Sequence, residues 1–178
     1  MSRFMGYLSV ILFAATIPLA NWLIGNVGIQ LETGGPHMVP VGFGLLAPSG
    51  VIVVGAALVL RDAVQEQLGK DWVLTAIAVG AILSWFVSDP FLVVASVTAF
   101  VLAELADFAI YTPLRKNNLA LAVMASGAVG AVVDSAVFLW VAFGSLAFIE
   151  GQIVGKMWMT LAAALVLFCV RNRVKETY

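Results

Sequence analysis

Hydrophobic residues run through the chain in six long segments that short polar stretches separate. The segments are Gly6–Ile24, Val39–Leu60, Trp72–Ser88, Phe91–Tyr111, Leu119–Phe143 and Ile153–Val170. Each is close to the roughly 20 residues that a helix needs to cross a hydrocarbon core of about 30 Å. We find no barrel-type alternation in them, so helices are expected. The pattern predicts an all-α integral membrane protein, with a single domain of six transmembrane helices over residues 1–178.

Composition agrees with that pattern. Hydrophobic residues make up 62% of the chain and charged residues 11%, whereas about 25% charged residues is usual in soluble proteins. A net charge of -1 lacks the basic footprint of a nucleic-acid-binding protein, so the expected partner is a lipid bilayer and not a nucleic acid. The single cysteine, Cys169, has no second cysteine for an intrachain disulfide. We expect a multi-pass protein of the bacterial inner or plasma membrane.

The basic residues predict how the chain is oriented. Eight of the nine fall at the N-terminus, after the second and fourth segments, or at the C-terminus, and only Lys156 falls on the opposite side. The eight are Arg3, Arg61, Lys70, Arg115, Lys116, Arg171, Arg173 and Lys175. By the positive-inside rule both termini are predicted to be cytoplasmic, which requires an even number of spans.

The second segment is rich in residues that interrupt helices. It contains Pro40, Gly42, Gly44, Pro48, Gly50 and Gly55. We expect a break near Pro48-Ser49-Gly50, where the freed backbone would line a cavity or lie within the protein. The fifth segment has a patch of small residues, Ser126-Gly127 and Gly130-Ala131. The expected break in the second segment and the small-residue patch in the fifth have two possible interpretations. They could mark a 3+3 inverted pseudo-repeat around a midplane site, or the small residues could allow close packing of helices.

Three acidic residues lie inside sequence that is otherwise apolar, namely Glu104, Asp107 and Asp134. An ionisable side chain at membrane depth is a functional-site hypothesis by default, because burying it is unfavourable. At a rise of 1.5 Å per residue, Asp134 lies about 24 Å from Asn118 and thus near the outer side. Lys156 enters its segment from that side, so we expect Asp134 and Lys156 to pair or to share a ligand.

Helical spacing groups further polar residues. The fourth segment carries one face made of Ser96, Phe100, Glu104, Asp107 and Tyr111 at intervals of three or four residues, and the sixth carries Gln152, Lys156 and Thr160 at intervals of four. These faces, with Asn21 of the first segment, are predicted to enclose a wet cavity. The predicted substrate-binding residues are Asn21, Phe100, Glu104, Asp107, Tyr111, Asp134, Gln152 and Lys156. The alternative is that they form hydrogen bonds between helices and only hold the bundle together.

Other signals carry little weight. The stretch Gly151–Met157 looks like a phosphate-binding loop, but it is one residue short and has Met157 where Ser or Thr would bind magnesium. His37 has no companion at the spacing of metal ligands. No Ser, His and Asp set suggests an enzyme site. We therefore predict a protein that is not an enzyme and that needs neither a cofactor nor a metal.

Four segments, in order along the chain, resemble the queuosine precursor transporters, which are also called the vitamin uptake transporter family. Arg61–Lys70 is similar to that family's Asp-x-x-x-Glu-x-x-Gly segment, and Glu104–Leu114, Val132–Phe138 and Gly151–Lys156 resemble its later motifs. The resemblance implies six transmembrane helices, uptake of 7-cyano-7-deazaguanine or 7-aminomethyl-7-deazaguanine, and a role in tRNA modification. It carries over as family-like positions Asp62, Glu66, Asp107, Asp134, Gln152 and Lys156.

The chemistry of a deazaguanine suits these residue types. A carboxylate from Glu104, Asp107 or Asp134 can accept hydrogen bonds from the ring N–H and the exocyclic amine together. Lys156 or Gln152 can donate to the carbonyl oxygen of the base. Stacking on an aromatic ring is worth about 1–3 kcal/mol per base, and the candidates for it are Phe100, Tyr111, Phe138 and Trp158.

Three functions remain open from the sequence. The first is secondary or facilitated import of a deazaguanine-like base. The second is a vitamin-binding membrane subunit that works with a separate ATPase. The third is a structural membrane protein whose acidic residues only pair helices. A homodimer is left open in each case.

Overall fold

The computed structural model describes residues 3–114 and 119–176. Six helices follow one another in this part of the chain: α1 (Arg3–Asn26), α2 (Val51–Leu68), α3 (Lys70–Val87), α4 (Pro90–Leu114), α5 (Leu119–Phe143) and α6 (Ile149–Glu176). Between α1 and α2 lies a small antiparallel sheet of three strands in the order β1 (Ile29–Gln30), β2 (His37–Gly42) and β3 (Leu45–Pro48). Arg115 and Lys116, two of the basic residues on which the predicted orientation rests, lie outside the described residues.

Four of the described helical stretches are long and apolar enough, by length and composition, to cross a membrane. They are Gly6–Asn26, Lys70–Val87, Pro90–Leu114 and Ala125–Phe143. Their outward faces expose large apolar side chains such as Ile11, Ile82 and Phe86. Exposed apolar surface of this extent is unusual in a soluble monomer, whereas lipid covers it in a bilayer. The chain is therefore a predominantly α-helical membrane protein.

The predicted helix at Val39–Leu60 is wrong in its first part. Residues 37–48 form β2 and β3 instead, and the turn between them has positive φ at Gly42 (+96°), Phe43 (+54°) and Gly44 (+73°). Glycine adopts this region without strain, and a proline in this stretch has no N–H to donate to a helix. The predicted break near Pro48-Ser49-Gly50 is confirmed, because α2 begins directly after it.

Strands β2 and β3 with the turn between them form a hairpin, which packs closely on the helices around it. The Nδ1 atom of His37 lies 3.1 Å from the carbonyl oxygen of Ile24 at the end of α1. On the other side, Gly151 of α6 meets the carbonyl group of Leu46 so closely that an added Cβ would overlap it. Met38 and Ala47 are buried between these contacts. The sheet is therefore held against the ends of α1 and α6.

Helix packing divides into two groups. α1 packs against α2 and α3, α2 also packs against α6, and α4 packs along most of α5. The apolar core of the first group contains Phe13, Ala14, Val64, Val73, Ala76 and Ile77. A second core joins the end of α1 to α4 and α5 and contains Ile24, Leu92, Ala95, Ala99, Phe138 and Leu139.

The two halves of the predicted 3+3 pseudo-repeat, α1–α3 and α4–α6, do not pack in the same way. α1 and α3 make an extensive contact, whereas the described parts of α4 and α6 make at most a slight one. Gly130 of the small-residue patch faces α4, since a Cβ there would lie 3.6 Å from the carbonyl oxygen of Ala103. For this patch the packing favours close approach of two helices over a repeat of the break in the first half.

Candidate functional site

A cavity lies between the helices and leaves about 120 Å³ for the centres of water-sized molecules. A single water needs roughly 10–15 Å³ on that measure, so the space is large enough for an organic solute. Every helix contributes to its wall, and Pro48 and Gly50 contribute from the hairpin side. We call the side near Pro48 the hairpin end and the opposite side, near Arg61, the far end. The polar lining residues are Thr16, Asn21, Arg61, Ser96, Asp134, Gln152 and Lys156.

Asp134 of α5 and Lys156 of α6 form an ion pair at the cavity wall. The Nζ atom of Lys156 lies 2.5 Å from Oδ2 of Asp134 and donates a second hydrogen bond to Oγ of Ser135 at 2.8 Å. The Lys156 side chain is only 3% exposed and that of Asp134 22%. The predicted pairing is therefore confirmed. An ammonium group this deep is tolerable because two oxygen atoms receive its hydrogens.

Gln152 lies one helical turn before Lys156 and is also buried, at 3% exposure. Its Oε1 atom has no hydrogen-bond partner among the described residues. Leaving a buried amide oxygen without a hydrogen-bond donor is unfavourable by about 1–3 kcal/mol. Because the side chain also lines the cavity, a polar solute in the cavity can supply the missing hydrogen bonds.

Asn21 of α1 is held in a short chain of hydrogen bonds. Its Nδ2 atom donates to Oγ of Ser84 at 2.8 Å, and its Oδ1 atom accepts from Oγ of Ser96 at 2.9 Å. The chain continues from Ser84 to Ser88, whose Oγ atoms are 3.0 Å apart. Asn21 thus links α1 to α3 and α4 and has one amide hydrogen left over for a ligand.

Arg61 is a cavity residue that the sequence analysis did not predict. It was expected in a cytoplasmic loop after the second segment, but it lies inside α2, where its side chain lines the far end. It forms an ion pair with Glu104 of α4 and a second one with its neighbour Asp62, at 2.8 Å. The helical spacing of Val54, Leu58 and Arg61 at intervals of four and three is the signal that places all three on one face.

The predicted site residues divide into two groups. Five of the eight line the cavity, namely Asn21, Phe100, Asp134, Gln152 and Lys156. Glu104, Asp107 and Tyr111 do not belong to its wall, although Glu104 contacts the wall residue Arg61. Asp107 instead lies at the interface of α4 with α5, with its Cβ 3.7 Å from where a Cβ on Gly130 would be.

The aromatic candidates divide in the same way. Phe100 and Phe138 line the cavity, and Phe138 is fixed by an edge-to-face contact with Phe143, with ring centroids 5.7 Å apart. Trp158 is 51% exposed and, like Tyr111, is absent from the wall. Only Phe100 and Phe138 of the four can therefore stack on a solute here.

Comparison with known proteins gives one family. No curated protein and no solved structure matches the chain. A family model described as "Putative vitamin uptake transporter" matches residues 81–171, just over half of the chain. The matched part includes α4, α5 and the cavity residues of α6. The chain therefore belongs to the vitamin uptake transporter family.

Proposed function

We propose that this protein imports a queuosine precursor, 7-cyano-7-deazaguanine or 7-aminomethyl-7-deazaguanine, by secondary or facilitated transport. In this proposal all six helices cross the cell membrane and both termini are cytoplasmic. The hairpin then lies on the outer side, and the far end of the cavity points to the cytoplasm. Membership of a transporter family supports the transport role. The solute-sized cavity, which is mostly apolar and carries a few polar side chains, supports a small organic substrate.

The buried amide of Gln152, whose oxygen has no hydrogen-bond partner among the described residues, is the observation that carries the proposal. It combines a hydrogen-bond acceptor and two donors in one group, and it lies one turn from the Asp134–Lys156 pair on the same wall. The edge of a deazaguanine presents a carbonyl oxygen, a ring N–H and an amine in a row. This edge complements a wall in which an amide, a carboxylate oxygen and an ammonium group stand together.

The apolar part of the cavity suits the flat face of the same substrate. Phe100 and Phe138 belong to helices that pack together, α4 and α5. Stacking on one of these rings would contribute about 1–3 kcal/mol, by analogy with bases bound to aromatic side chains. Small-molecule sites usually combine an apolar and aromatic lining with a few polar groups that fix the orientation of the ligand.

Uptake in cells that make no queuosine precursor tests the proposal. The cells are supplied with either deazaguanine, and queuosine in their tRNA is measured with and without this protein. We expect queuosine only when the protein is present. Gln152→Leu should abolish it, whereas Gln30→Leu, at an exposed position of β1, should not. Absence of queuosine with well-expressed wild-type protein would contradict the proposed substrate.

The same cells test whether the protein works alone. If uptake requires a nucleotide-binding protein that co-purifies with this chain, secondary or facilitated transport is wrong and the chain is the membrane subunit of an ATP-driven system. If Gln152→Leu, Asp134→Asn and Lys156→Met leave uptake unchanged, the cavity is not the route of the substrate.

A further inference from the structure

One ion pair joins α2 to α4 at the far end of the cavity, between Arg61 and Glu104. We infer that this ion pair is a gate, which separates to let a solute leave the cavity at that end. The inference rests on the transport proposed above, but it concerns a step and two residues that the substrate proposal does not use.

The ion pair lies where the cavity ends. The Arg61 side chain belongs to the wall and that of Glu104 does not. On α4, Glu104 follows the wall residue Phe100 by four residues, so it lies on the same face one turn further along the helix. A solute that moves from Phe100 toward the far end therefore meets the Arg61–Glu104 pair next.

Little else connects α2 to α4. Apart from this ion pair, the described residues of α2 and α4 barely approach each other, whereas α2 packs on α1 and α6 and α4 packs on α5. Packed side chains would resist separation of two helices over their whole contact area. Here the Arg61–Glu104 pair spans the gap, and Phe100 packs beside it against the core of α1, α2 and α3. Opening the gap therefore requires the loss of one ion pair and one aromatic contact.

The opposite end of α4 is fixed. Leu92, Ala95 and Ala99 are buried in the apolar core that includes Ile24 of α1. Between them, Ser96 donates its hydrogen bond to Asn21 of α1. α4 is therefore anchored to α1 near the hairpin end. Toward the far end it is held by the ion pair of Glu104 and by Phe100, which packs on the core of α1, α2 and α3, an arrangement that allows it to pivot with α5.

Both gate residues keep an alternative partner when they separate. Arg61 also contacts Asp62, with Nε at 3.0 Å and Nη2 at 2.8 Å from Oδ1, and Asp62 is itself exposed. Glu104 has a side chain that is 34% exposed and can be hydrated. The open state thus leaves neither charge buried without a counterion or water, and ion pairs at such exposure are weak.

Thiol accessibility tests the gate without any substrate. Leu58→Cys places a thiol on the cavity wall one turn before Arg61, in a Cys169→Ala background. A membrane-impermeant maleimide is added to inside-out and to right-side-out vesicles. Arg61→Gln should raise the labelling rate in inside-out vesicles by about two- to fivefold, the range expected for the loss of a partly exposed ion pair. Labelling in right-side-out vesicles should not change.

Matched variants separate the gate from a general loosening of the fold. Glu104→Gln should have the same effect as Arg61→Gln and serves in its place if the latter is poorly expressed. The exchange Arg61→Glu with Glu104→Arg should restore slow labelling. Asp62→Asn, which removes the other partner of Arg61, should not raise the rate.

Equal labelling in all variants, or a rise in right-side-out vesicles, would overturn the gate. If labelling responds as expected and no deazaguanine is taken up, the gate stands and the proposed substrate fails. If deazaguanine is taken up and labelling does not respond, the substrate stands and the gate fails.

Discussion

The two ends of the cavity are held together in different ways. Near the hairpin end, Lys156 and Asp134 are 3% and 22% exposed, Ser135 accepts a second hydrogen bond from Lys156, and α6 lies directly against the strand that precedes α2. At the far end, Arg61 and Glu104 are 19% and 34% exposed and stand almost alone between their helices. The free energy needed to break an ion pair is larger when the pair is more buried and has further hydrogen bonds than when it is more exposed. We therefore expect the hairpin end to stay closed and the far end to open.

The largest effect is expected from Lys156→Met. It leaves the carboxylate of Asp134 and the hydroxyl of Ser135 without their donor in a buried site, which costs about 3–5 kcal/mol when one partner of a buried pair is removed. The free energy of unfolding, measured by denaturant titration of the purified protein in a mild detergent, should fall by that amount.

A double variant checks the cause of that loss. Lys156→Met combined with Asp134→Asn removes both charges, so the double variant should be more stable than Lys156→Met alone. If the losses of unfolding free energy of the two single variants simply add in the double variant, the two side chains do not stabilise each other. The proposal that this ion pair makes the hairpin end rigid would then be wrong.

The next effect is expected from Gly151→Ala. The added methyl group would overlap the Leu46 carbonyl, so α6 must move away from β3, and overpacking of this kind costs about 1–3 kcal/mol. Gly127→Ala is the matched control, since its methyl group would meet nothing within 4 Å. The control should be neutral or stabilise its helix by up to about 1 kcal/mol. Equal unfolding free energies for the two variants would contradict close packing at the hairpin end.

A smaller effect is expected from Ser96→Ala, which removes the hydrogen bond that ties α4 to Asn21. One such bond contributes about 0.5–1.5 kcal/mol, and its loss should lower the unfolding free energy by that much. Thr33→Ala, at an exposed position between β1 and β2, is the control and should change the stability little. An unchanged stability in Ser96→Ala would mean that the apolar core alone anchors α4.

The smallest effect on stability is expected from Glu104→Gln. A partly exposed ion pair stabilises a fold by about 0–1 kcal/mol, so the unfolding free energy should change little, and added salt should reduce the difference further. Glu66→Gln, on the exposed part of α2, is the control. If Glu104→Gln lowered the unfolding free energy as much as Lys156→Met does, the two ion pairs would be equally strong. The proposed difference between the two ends of the cavity would then be wrong.

Much of this architecture could be predicted from the sequence. Five of the six apolar segments correspond to helices, and the fifth has the predicted bounds, Leu119–Phe143. The spacing of Gln152 and Lys156 correctly put both on one face, and similar depth correctly paired Asp134 with Lys156. These predictions succeeded because the face on which a residue lies follows from its spacing within one helix, and its depth follows from the rise per residue along that helix.

The remaining features depend on contacts between distant parts of the chain. Hydrophobicity alone made residues 39–48 look like part of a span, although Val39, Val41, Phe43 and Leu45 alternate with proline and glycine as in a strand. Arg61 was placed in a loop because a basic residue usually marks the end of a span. Its partner, Glu104, lies 43 positions away in the numbering, and no local pattern identifies such a pair.

The hairpin also changes how the chain must enter the membrane. In the six-span topology proposed above, residues 37–48 form strands and the second crossing is left to α2, whose 18 residues span about 27 Å and include Arg61, Asp62 and Glu66. Each charge near the middle of a helix opposes insertion by roughly 2.5–3.5 kcal/mol. α2 is thus a poor substrate for the insertion machinery by itself, and α1, which packs along it, must be retained nearby until both can partition into lipid together.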